Sequence, residues 1–167
     1  VNVVPYMGDE GAAVGSSILS LINNNKDISK IKNISMPYIG DSYTEDETLK
    51  ILKLYDQDID FEYLKDNWIN EAANALKENK IIDNFYGNIE FGPRALGNRS
   101  ILANPFFENT RDKINLQIKK RPWYQPLCPS ILEEDREDIF ETSFNHKYMS
   151  TAFKAKSKFK NIMPSAL

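Results

Sequence analysis

The stretch EFGPRALGNRS, residues 90–100, carries two glycines at the spacing of a phosphate-binding Walker loop. A Walker loop aims consecutive backbone N–H groups at phosphate oxygens and has a lysine directly after its second glycine. Here an asparagine follows the second glycine, and Pro93 lacks an N–H at the point where the cradle would form. We therefore predict an anion pocket built from side chains, in which two tight bends bring Arg94 and Arg99 to a common point.

Two interpretations of these arginines remain open. In the first, Arg94 and Arg99 bind an anion, and the neutral side chains of Asn98 and Ser100 supply further hydrogen-bond donors. In the second, Glu90 pairs with one of the arginines, and the pair only fixes the loop. The planar fork of a guanidinium matches phosphate and carboxylate, which favours the first interpretation.

Charge is segregated along the chain. Residues 1–93 carry 16 acidic residues, 8 lysines and no arginine, whereas residues 94–121 carry 7 basic and 2 acidic residues. Four of the five arginines lie in this second segment. Such a concentration indicates an anionic ligand, although charge alone is equally compatible with a solvated basic face.

A second group of cations lies in IKKRPWYQPLCPS, residues 118–130. Lys119 and Arg121 are two residues apart, so on an extended strand they project to the same face. The prolines that follow restrict the backbone, so the pair is presented rigidly and loses little entropy on binding. Trp123 and Tyr124 are predicted to pack in the core, with stacking on a base as the alternative.

The chain has one cysteine and one histidine, so it can form neither an internal disulfide nor a closed Cys/His zinc site. Cys128 is interpreted as a packing residue in an apolar strand and His146 as structural rather than catalytic. No window approaches the roughly 18 apolar residues that cross a bilayer, and the first residues lack the features of a signal peptide. A cytoplasmic location is the default expectation, and the Val1 start and apolar end suggest a fragment of a longer protein.

Helical periodicity and turn signals predict helices and strands that alternate without a strict βαβ rhythm. Thr44 followed by Glu47 is a capping box, at the start of a helix with Leu49, Leu52 and Leu54 on its core side. The other predicted elements are an extended segment over 1–4, helices over 11–24, 68–79, 109–118 and 134–140, a strand pair over 80–92 that turns at Gly87 and Asn88, and a strand over 125–134. These elements predict a mixed sheet with flanking helices.

The stretches IEFGPRALGNRSILANP and INLQIKKRPWYQPLCPSILEE closely resemble the C-terminal domain of the NodU/CmcH-type O-carbamoyltransferases. That family carries an E-F-G-P-R-A-L-G-x-R-S block followed by an I-K-x-R-x-x-x-x-P-x-x-P-S block. The resemblance implies an α/β (mixed α+β) fold with a YrdC-like twisted mixed β-sheet and flanking helices. It also implies that residues 1–35 are the end of an N-terminal actin-like ATPase-fold module with its linker, and that residues 36–167 are the YrdC-like domain, truncated at its C-terminus.

The resemblance implies an ATP-dependent O-carbamoyltransferase, an EC 2.1.3-type transferase. The YrdC-like domain would convert carbamoyl phosphate and ATP to carbamoyl-adenylate. The actin-like module would then pass the carbamoyl group to a hydroxyl of a small-molecule acceptor, such as a sugar, an antibiotic or a nodulation factor. The catalytic residues implied are Arg94, Arg99, Lys119 and Arg121, and the residues implied to bind substrate or nucleotide are Asn98, Ser100, Ser130, Gly8, Asp9 and Gly11. No metal ligand is implied in this chain, and iron or magnesium is expected only in the actin-like module.

Three positions that flank the cations of the two motifs depart from the family pattern: Asn88, Pro122 and Cys128. We expect these departures to affect substrate preference. The implied partners are small-molecule substrates and the actin-like module of the same full-length protein. Binding to a membrane or to nucleic acid is not expected, and the formation of a homodimer is left open. The alternative is a nucleic-acid-binding (RNA-binding) YrdC-like module. The net negative charge of residues 1–93 argues against it, because it would repel a polyanion. A third interpretation is a degenerate domain that serves only as a scaffold. We expect the chain by itself to bind anions or nucleotide weakly and not to complete carbamoyl transfer.

Overall fold

The computed structural model describes residues 5–29, 31, 36–144 and 147–166. Along this part of the chain lie α1 (Asp9–Asn23), α2 (Glu45–Leu54), a 3₁₀ turn (Lys65–Asn67), α3 (Trp68–Lys77), β1 (Ile82–Phe85), β2 (Arg99–Leu102), α4 (Thr110–Asp112), a π-helix (Lys113–Ile118), α5 (Arg136–Ile139) and α6 (Ser157–Lys160). The strands β1 and β2 pair in a two-stranded antiparallel sheet, which confirms the mixed α/β class. A larger YrdC-like sheet stays a prediction, and the segment predicted to be extended over 1–4 lies outside the described residues.

The chain divides into two compact units. The first comprises Val1–Ile59, Phe85–Ser100 and Lys147–Ser150, and the second comprises Asp60–Asn84, Ile101–His146 and Thr151–Leu167. The EFGPRALGNRS motif therefore lies in the first unit, and the IKKRPWYQPLCPS motif lies in the second. The domain boundary predicted at residue 35 stays a prediction.

In the first unit, local sequence signals set the starts of the two long helices. The helix α1 begins after Gly8, and two acidic residues in its first turn complement the positive end of its dipole. At α2, the Glu47 N–H donates to Thr44 Oγ1 at 3.3 Å, and the Thr44 N–H donates to Glu47 Oε2 at 2.8 Å. The predicted capping box is thus confirmed.

A short extended segment of the first unit holds the start of the EFGPRALGNRS motif. The Gly40 N–H donates to the Ile89 carbonyl, and the Ile89 N–H donates to the Asp41 carbonyl, both at 2.9 Å. The Phe91 N–H donates to the Pro37 carbonyl at 2.8 Å. A Cβ atom on Gly40 would lie 2.7 Å from the Ile89 carbonyl oxygen, so this close approach requires glycine.

The second unit contains most of the buried apolar side chains among the described residues: Ile114, Ile139, Ala155 and Met163. Buried polar groups accompany them and are bonded to the backbone. The Ser165 hydroxyl contacts the carbonyl oxygens of Glu108, at 3.1 Å, and Phe107, and its oxygen accepts from the Arg111 N–H at 3.3 Å. These contacts anchor the start of α4.

The prediction of a strand pair that turns at Gly87 and Asn88 is wrong. The partner of β1 is β2, which begins inside the motif, and residues 86–98 form the connection between them. Long-range contacts decide this outcome: Ile89 pairs with the 37–41 segment, while the Tyr86 N–H donates to the Asn98 carbonyl at 2.8 Å. The predicted strand over 125–134 is also absent, because prolines at 126 and 129 remove N–H groups that a strand would donate.

The predicted core face of α2 is not formed within the described residues. No residue of α2 is buried, and Leu54 is 79% exposed. The helices predicted over 11–24, 68–79 and 109–118 are present with shifted ends, the last as α4 continued by the π-helix. None of the described helices has both the length and the apolar character that crossing a bilayer requires.

Candidate functional site

A buried carboxylate organises the loop of the first motif. The Glu90 side chain is 0% exposed, and its Oε1 accepts from the backbone N–H groups of Leu96 and Asn98 at 2.8 Å and of Arg99 at 3.2 Å. Burial disfavours the charged form, but the backbone hydrogen bonds outweigh it and hold the pKa of Glu90 below its ordinary value. The loop is therefore closed around an ionised carboxylate.

Both glycines of the motif sit at sharp bends. Gly92 has a φ of 110° and Gly97 has a φ of 115°, a region that side chains rarely adopt. The Tyr38 hydroxyl donates to the Leu96 carbonyl at 2.8 Å and ties the second bend to the neighbouring segment. The two predicted bends are present.

Arg99 is largely committed to this loop. Its Nε lies 3.8 Å from Oε2 of Glu90, and its Nη2 donates to the carbonyl oxygens of Glu90 at 3.3 Å and Gly92 at 3.2 Å. This is the pairing that the second interpretation requires, in which Glu90 fixes the loop through an arginine. The Arg99 side chain is nevertheless 44% exposed, and its role in anion binding stays a prediction.

Arg94 is exposed and makes no hydrogen bond or ion pair with the residues that the structure describes. The neutral groups beside it are used inside the loop. The Asn98 amide donates to the Asn88 carbonyl at 2.8 Å, and Ser100 Oγ accepts from the Gly97 N–H at 3.0 Å. Arg94 therefore differs from Arg99: it is exposed and makes no stabilising contact within the described part of the loop.

In the second unit, a buried amide that the sequence reasoning missed organises the second motif. Asn115 is 0% exposed and donates through Nδ2 to the carbonyl oxygens of Trp123 at 2.9 Å and Gln125 at 2.8 Å. Its Oδ1 accepts from Nε of Arg121 at 2.7 Å. An amide between the apolar residues Ile114 and Leu116 of the helical stretch is the signal that could have drawn attention to it.

Lys119 and Arg121 do not lie on the predicted extended strand. Lys119 caps the π-helix with helical dihedral angles, and Lys120 has a left-handed φ of 46°. Arg121 is bound to Asn115 through both its backbone N–H, at 2.8 Å to the carbonyl, and its side chain. Lys119 is exposed, and its side chain has no partner among the described residues.

The prediction that Trp123 and Tyr124 pack in the core is wrong. Trp123 is 57% exposed and Tyr124 is 65% exposed, and their rings meet edge to face with centroids 6.0 Å apart. The Arg111 guanidinium lies 5.6 Å from the centroid of the Trp123 ring. The hydrogen bonds from Asn115 hold the backbone here, so the aromatic rings stand out from a fixed segment.

The candidates near the N-terminus lie at the start of α1. Gly8 is its N-cap, Asp9 is in its first turn, and the Gly11 N–H donates to the Gly8 carbonyl at 3.0 Å. A Cβ atom on Gly11 would lie 2.1 Å from the Tyr6 carbonyl oxygen, so backbone packing alone requires this glycine. Ligand binding by Gly8, Asp9 and Gly11 stays a prediction.

The remaining candidates have simple surroundings. Ser130 is exposed, and His146 lies outside the described residues. Cys128 is exposed rather than packed in a strand, although partial burial of its thiol raises the pKa. The described residues contain no group of three or more potential metal ligands. Because the two motifs belong to different units, the prediction that their cations share one ligand stays a prediction.

Comparison with known proteins defines the family. The family model "Carbamoyltransferase C-terminus" matches residues 73–167, and the chain belongs to this family. The chain is 47% identical over 167 residues to an uncharacterised protein of Methanocaldococcus jannaschii, covering 99% of this chain and 27% of that protein. It is 35% identical over 142 residues to the nodulation protein NolNO of Sinorhizobium fredii, covering 84% of this chain and 21% of that protein.

A further relative carries an enzymatic name. The 3'-hydroxymethylcephem-O-carbamoyltransferase of Amycolatopsis lactamdurans is 31% identical to the chain over 149 residues, covering 89% of this chain and 26% of that protein. The chain therefore spans about a quarter of the length of these curated relatives. The recognised resemblance to the carbamoyltransferases is confirmed.

Proposed function

We propose that the chain supplies phosphate-binding groups of an ATP-dependent O-carbamoyltransferase. In the proposed scheme, water converts carbamoyl phosphate to carbamate and inorganic phosphate. A carbamate oxygen then attacks the α-phosphorus of ATP, and pyrophosphate leaves from the resulting carbamoyl-adenylate. In the last step an acceptor hydroxyl attacks the carbamoyl carbon, the hydroxyl proton is lost, and AMP leaves.

The observation that carries the proposal is Arg94, which is exposed and has no partner among the described residues, on a loop fixed by buried Glu90. A cation on a fixed backbone loses little entropy when it binds a phosphate. Donors that are already in place also stabilise negative charge in a transition state, where losing one typically costs about 10²- to 10³-fold in rate. The chemistry needs such donors and no side-chain nucleophile.

The four cations divide into two kinds. Arg94 and Lys119 are exposed and have no side-chain partner among the described residues, so we assign them direct contact with phosphate oxygens. Arg99 and Arg121 each hold backbone or a buried polar group, and we assign them both an organising role and the donation of their remaining N–H groups. Ser100 and Ser130 add hydroxyl donors.

The proposal extends to parts that lie outside the described residues. The acceptor hydroxyl and any iron or magnesium belong to the proposed actin-like module. Residues 1–35, which include α1, would be the end of that module, and Gly8, Asp9 and Gly11 are its proposed nucleotide-contacting residues in this chain. The proposed location is cytoplasmic, where ATP is available.

Calorimetric titration of the complete gene product with carbamoyl phosphate tests the assignment. Arg94→Ala and Lys119→Ala should each weaken binding about 10- to 100-fold, since a hydrogen bond to a charged group contributes roughly 1.5–3 kcal/mol. Lys120→Asn is the matched control: it removes a neighbouring positive charge, and asparagine tolerates the left-handed φ of 46° at this position. Its binding should stay within about twofold of wild type, because we assign no contact to it.

The double variant Arg94→Ala/Lys119→Ala tests whether the two contacts with carbamoyl phosphate are energetically coupled. Losses smaller than the sum of the two single effects would indicate a common phosphate group, and additive losses would indicate separate contacts. Unchanged affinity in both single variants would sink the proposed function.

A further inference from the structure

We propose that Trp123 and Arg111 form a stacking site for the base of an adenine nucleotide. This inference rests on the proposed function, because it assigns a place to the base of the ATP that the reaction would use. The phosphate-binding cations do not account for binding of the base, because the base is uncharged and is recognised through its flat faces and its edges. The aromatic pair of the second unit supplies such a face.

Trp123 is unusually open for a tryptophan on a fixed segment. It is 57% exposed, and its contact with Tyr124 is edge to face, with the ring planes at 84°. An edge-to-face contact leaves much of the π-face of one ring uncovered. The backbone beneath is held at the Trp123 and Gln125 carbonyls by the amide of Asn115, so the indole is presented without the entropy cost of ordering a loop.

Arg111 gives the site its electrostatic character. Its guanidinium lies over one face of the Trp123 ring, 5.6 Å from the centroid, in a cation–π contact, so the base would stack on the opposite face of the indole. The position of Arg111 is fixed from behind, because its backbone N–H donates to the buried Ser165 Oγ at 3.3 Å. A guanidinium over the far face of the indole also keeps a positive charge near the phosphates that follow the base.

The charge of the surrounding segment suits a nucleotide better than an apolar partner. Residues 111–121 of the second unit contain five cationic residues and one acidic residue. The acidic one, Asp112, is 3.4 Å from Arg111 Nε and offsets part of its charge. The net charge of this segment stays positive, and a ligand that joins a flat base to several phosphates uses both an aromatic face and positive charge.

The test measures binding of ATP and of inorganic tripolyphosphate to the complete gene product by calorimetry. Trp123→Ala should weaken ATP binding about 5- to 150-fold, the effect of losing one base–aromatic stack, and should leave tripolyphosphate binding unchanged. Trp123→Phe should recover most of the ATP affinity, because phenylalanine keeps an aromatic face. Trp68→Phe is the matched control, since Trp68 is the other tryptophan of the chain, is 41% exposed, and should have no effect on either ligand.

The outcomes separate the two proposals. Loss of carbamoyl phosphate and tripolyphosphate binding in Arg94→Ala, together with wild-type ATP affinity in Trp123→Ala, would keep the proposed function and overturn the stacking site. An equal loss of ATP and tripolyphosphate affinity in Trp123→Ala would also overturn it, because the defect would then not concern the base. Wild-type protein that binds single-stranded RNA with steep salt dependence, and ATP not at all, would overturn the nucleotide assignment in favour of nucleic acid.

Discussion

Asn115 offers a quantitative test of how the second motif is held. Its side chain makes three hydrogen bonds: two to neutral carbonyl oxygens and one from the Arg121 guanidinium. At roughly 0.5–1.5 kcal/mol for each neutral bond and roughly 1.5–3 kcal/mol for the charged one, their loss in Asn115→Ala would cost about 2.5–6 kcal/mol. The released groups can bind water in this largely exposed segment, so we expect a value near the lower limit, about 2.5–3 kcal/mol.

Amide hydrogen exchange read by mass spectrometry measures this loss locally in the complete gene product. A change of about 2.5–3 kcal/mol corresponds to about hundredfold faster exchange. The change should be confined to the peptide that contains the hydrogen-bonded amides of Lys119, Arg121 and Gln125. Exchange there should rise by that factor or reach the rate of an unprotected chain.

Two further variants make the result interpretable. Gln117→Ala removes an exposed amide from the same π-helix and should leave exchange unchanged. Asn115→Asp keeps an acceptor for Arg121 but loses both donors and places a carboxylate oxygen against two carbonyl oxygens, so exchange should still rise above that of wild type. If Asn115→Ala exchanged no faster than Gln117→Ala, the assignment of the amide as the organiser of this segment would be refuted.

Two other perturbations test the first unit. Glu90→Gln should lower the unfolding free energy at pH 7. The difference from wild type should shrink as the pH falls below about 4.3 and through the lower pKa of the folded carboxyl. A difference that is independent of pH in urea titrations would contradict an ionised Glu90 carboxylate. Gly97→Ala and Gly15→Ala form a matched pair, because an added Cβ meets nothing within 4 Å at either position. Gly97→Ala places alanine at a φ of 115° and should destabilise the protein by about 1–3 kcal/mol. Gly15→Ala replaces a glycine inside α1 with a better helix former and should stabilise the protein by up to about 1 kcal/mol. Changes of the same sign in thermal unfolding would show that backbone conformation is not the cause.

Sequence patterns with a short range were predicted well. The capping box at Thr44 depends on groups three residues apart, and the positions of α1, α3 and α4 follow from propensity within one or two turns. The two bends of the first motif follow from the need for glycine at positive φ. The family, too, is carried by two contiguous motifs, so it could be recognised without any knowledge of contacts.

Predictions that depended on distant partners were wrong or incomplete. The pairing of β1 was misassigned, because the hydrogen bonds that draw Ile89 away come from a segment about fifty residues earlier. The aromatic side chains of Trp123 and Tyr124 have the same apolar character whether buried or exposed, so composition predicted a core position that the structure does not give them.

The sequence by itself determined the family, the mixed α/β class and the concentration of arginine around the first motif. Only the tertiary structure decided how each cation is used: Glu90 and Asn115 turn Arg99 and Arg121 toward the inside of their loops and leave Arg94 and Lys119 exposed. The physical reason is that a guanidinium has the same donors and the same charge in either role. Its role depends on the acceptors within about 3 Å of its N–H groups, and folding alone sets those distances.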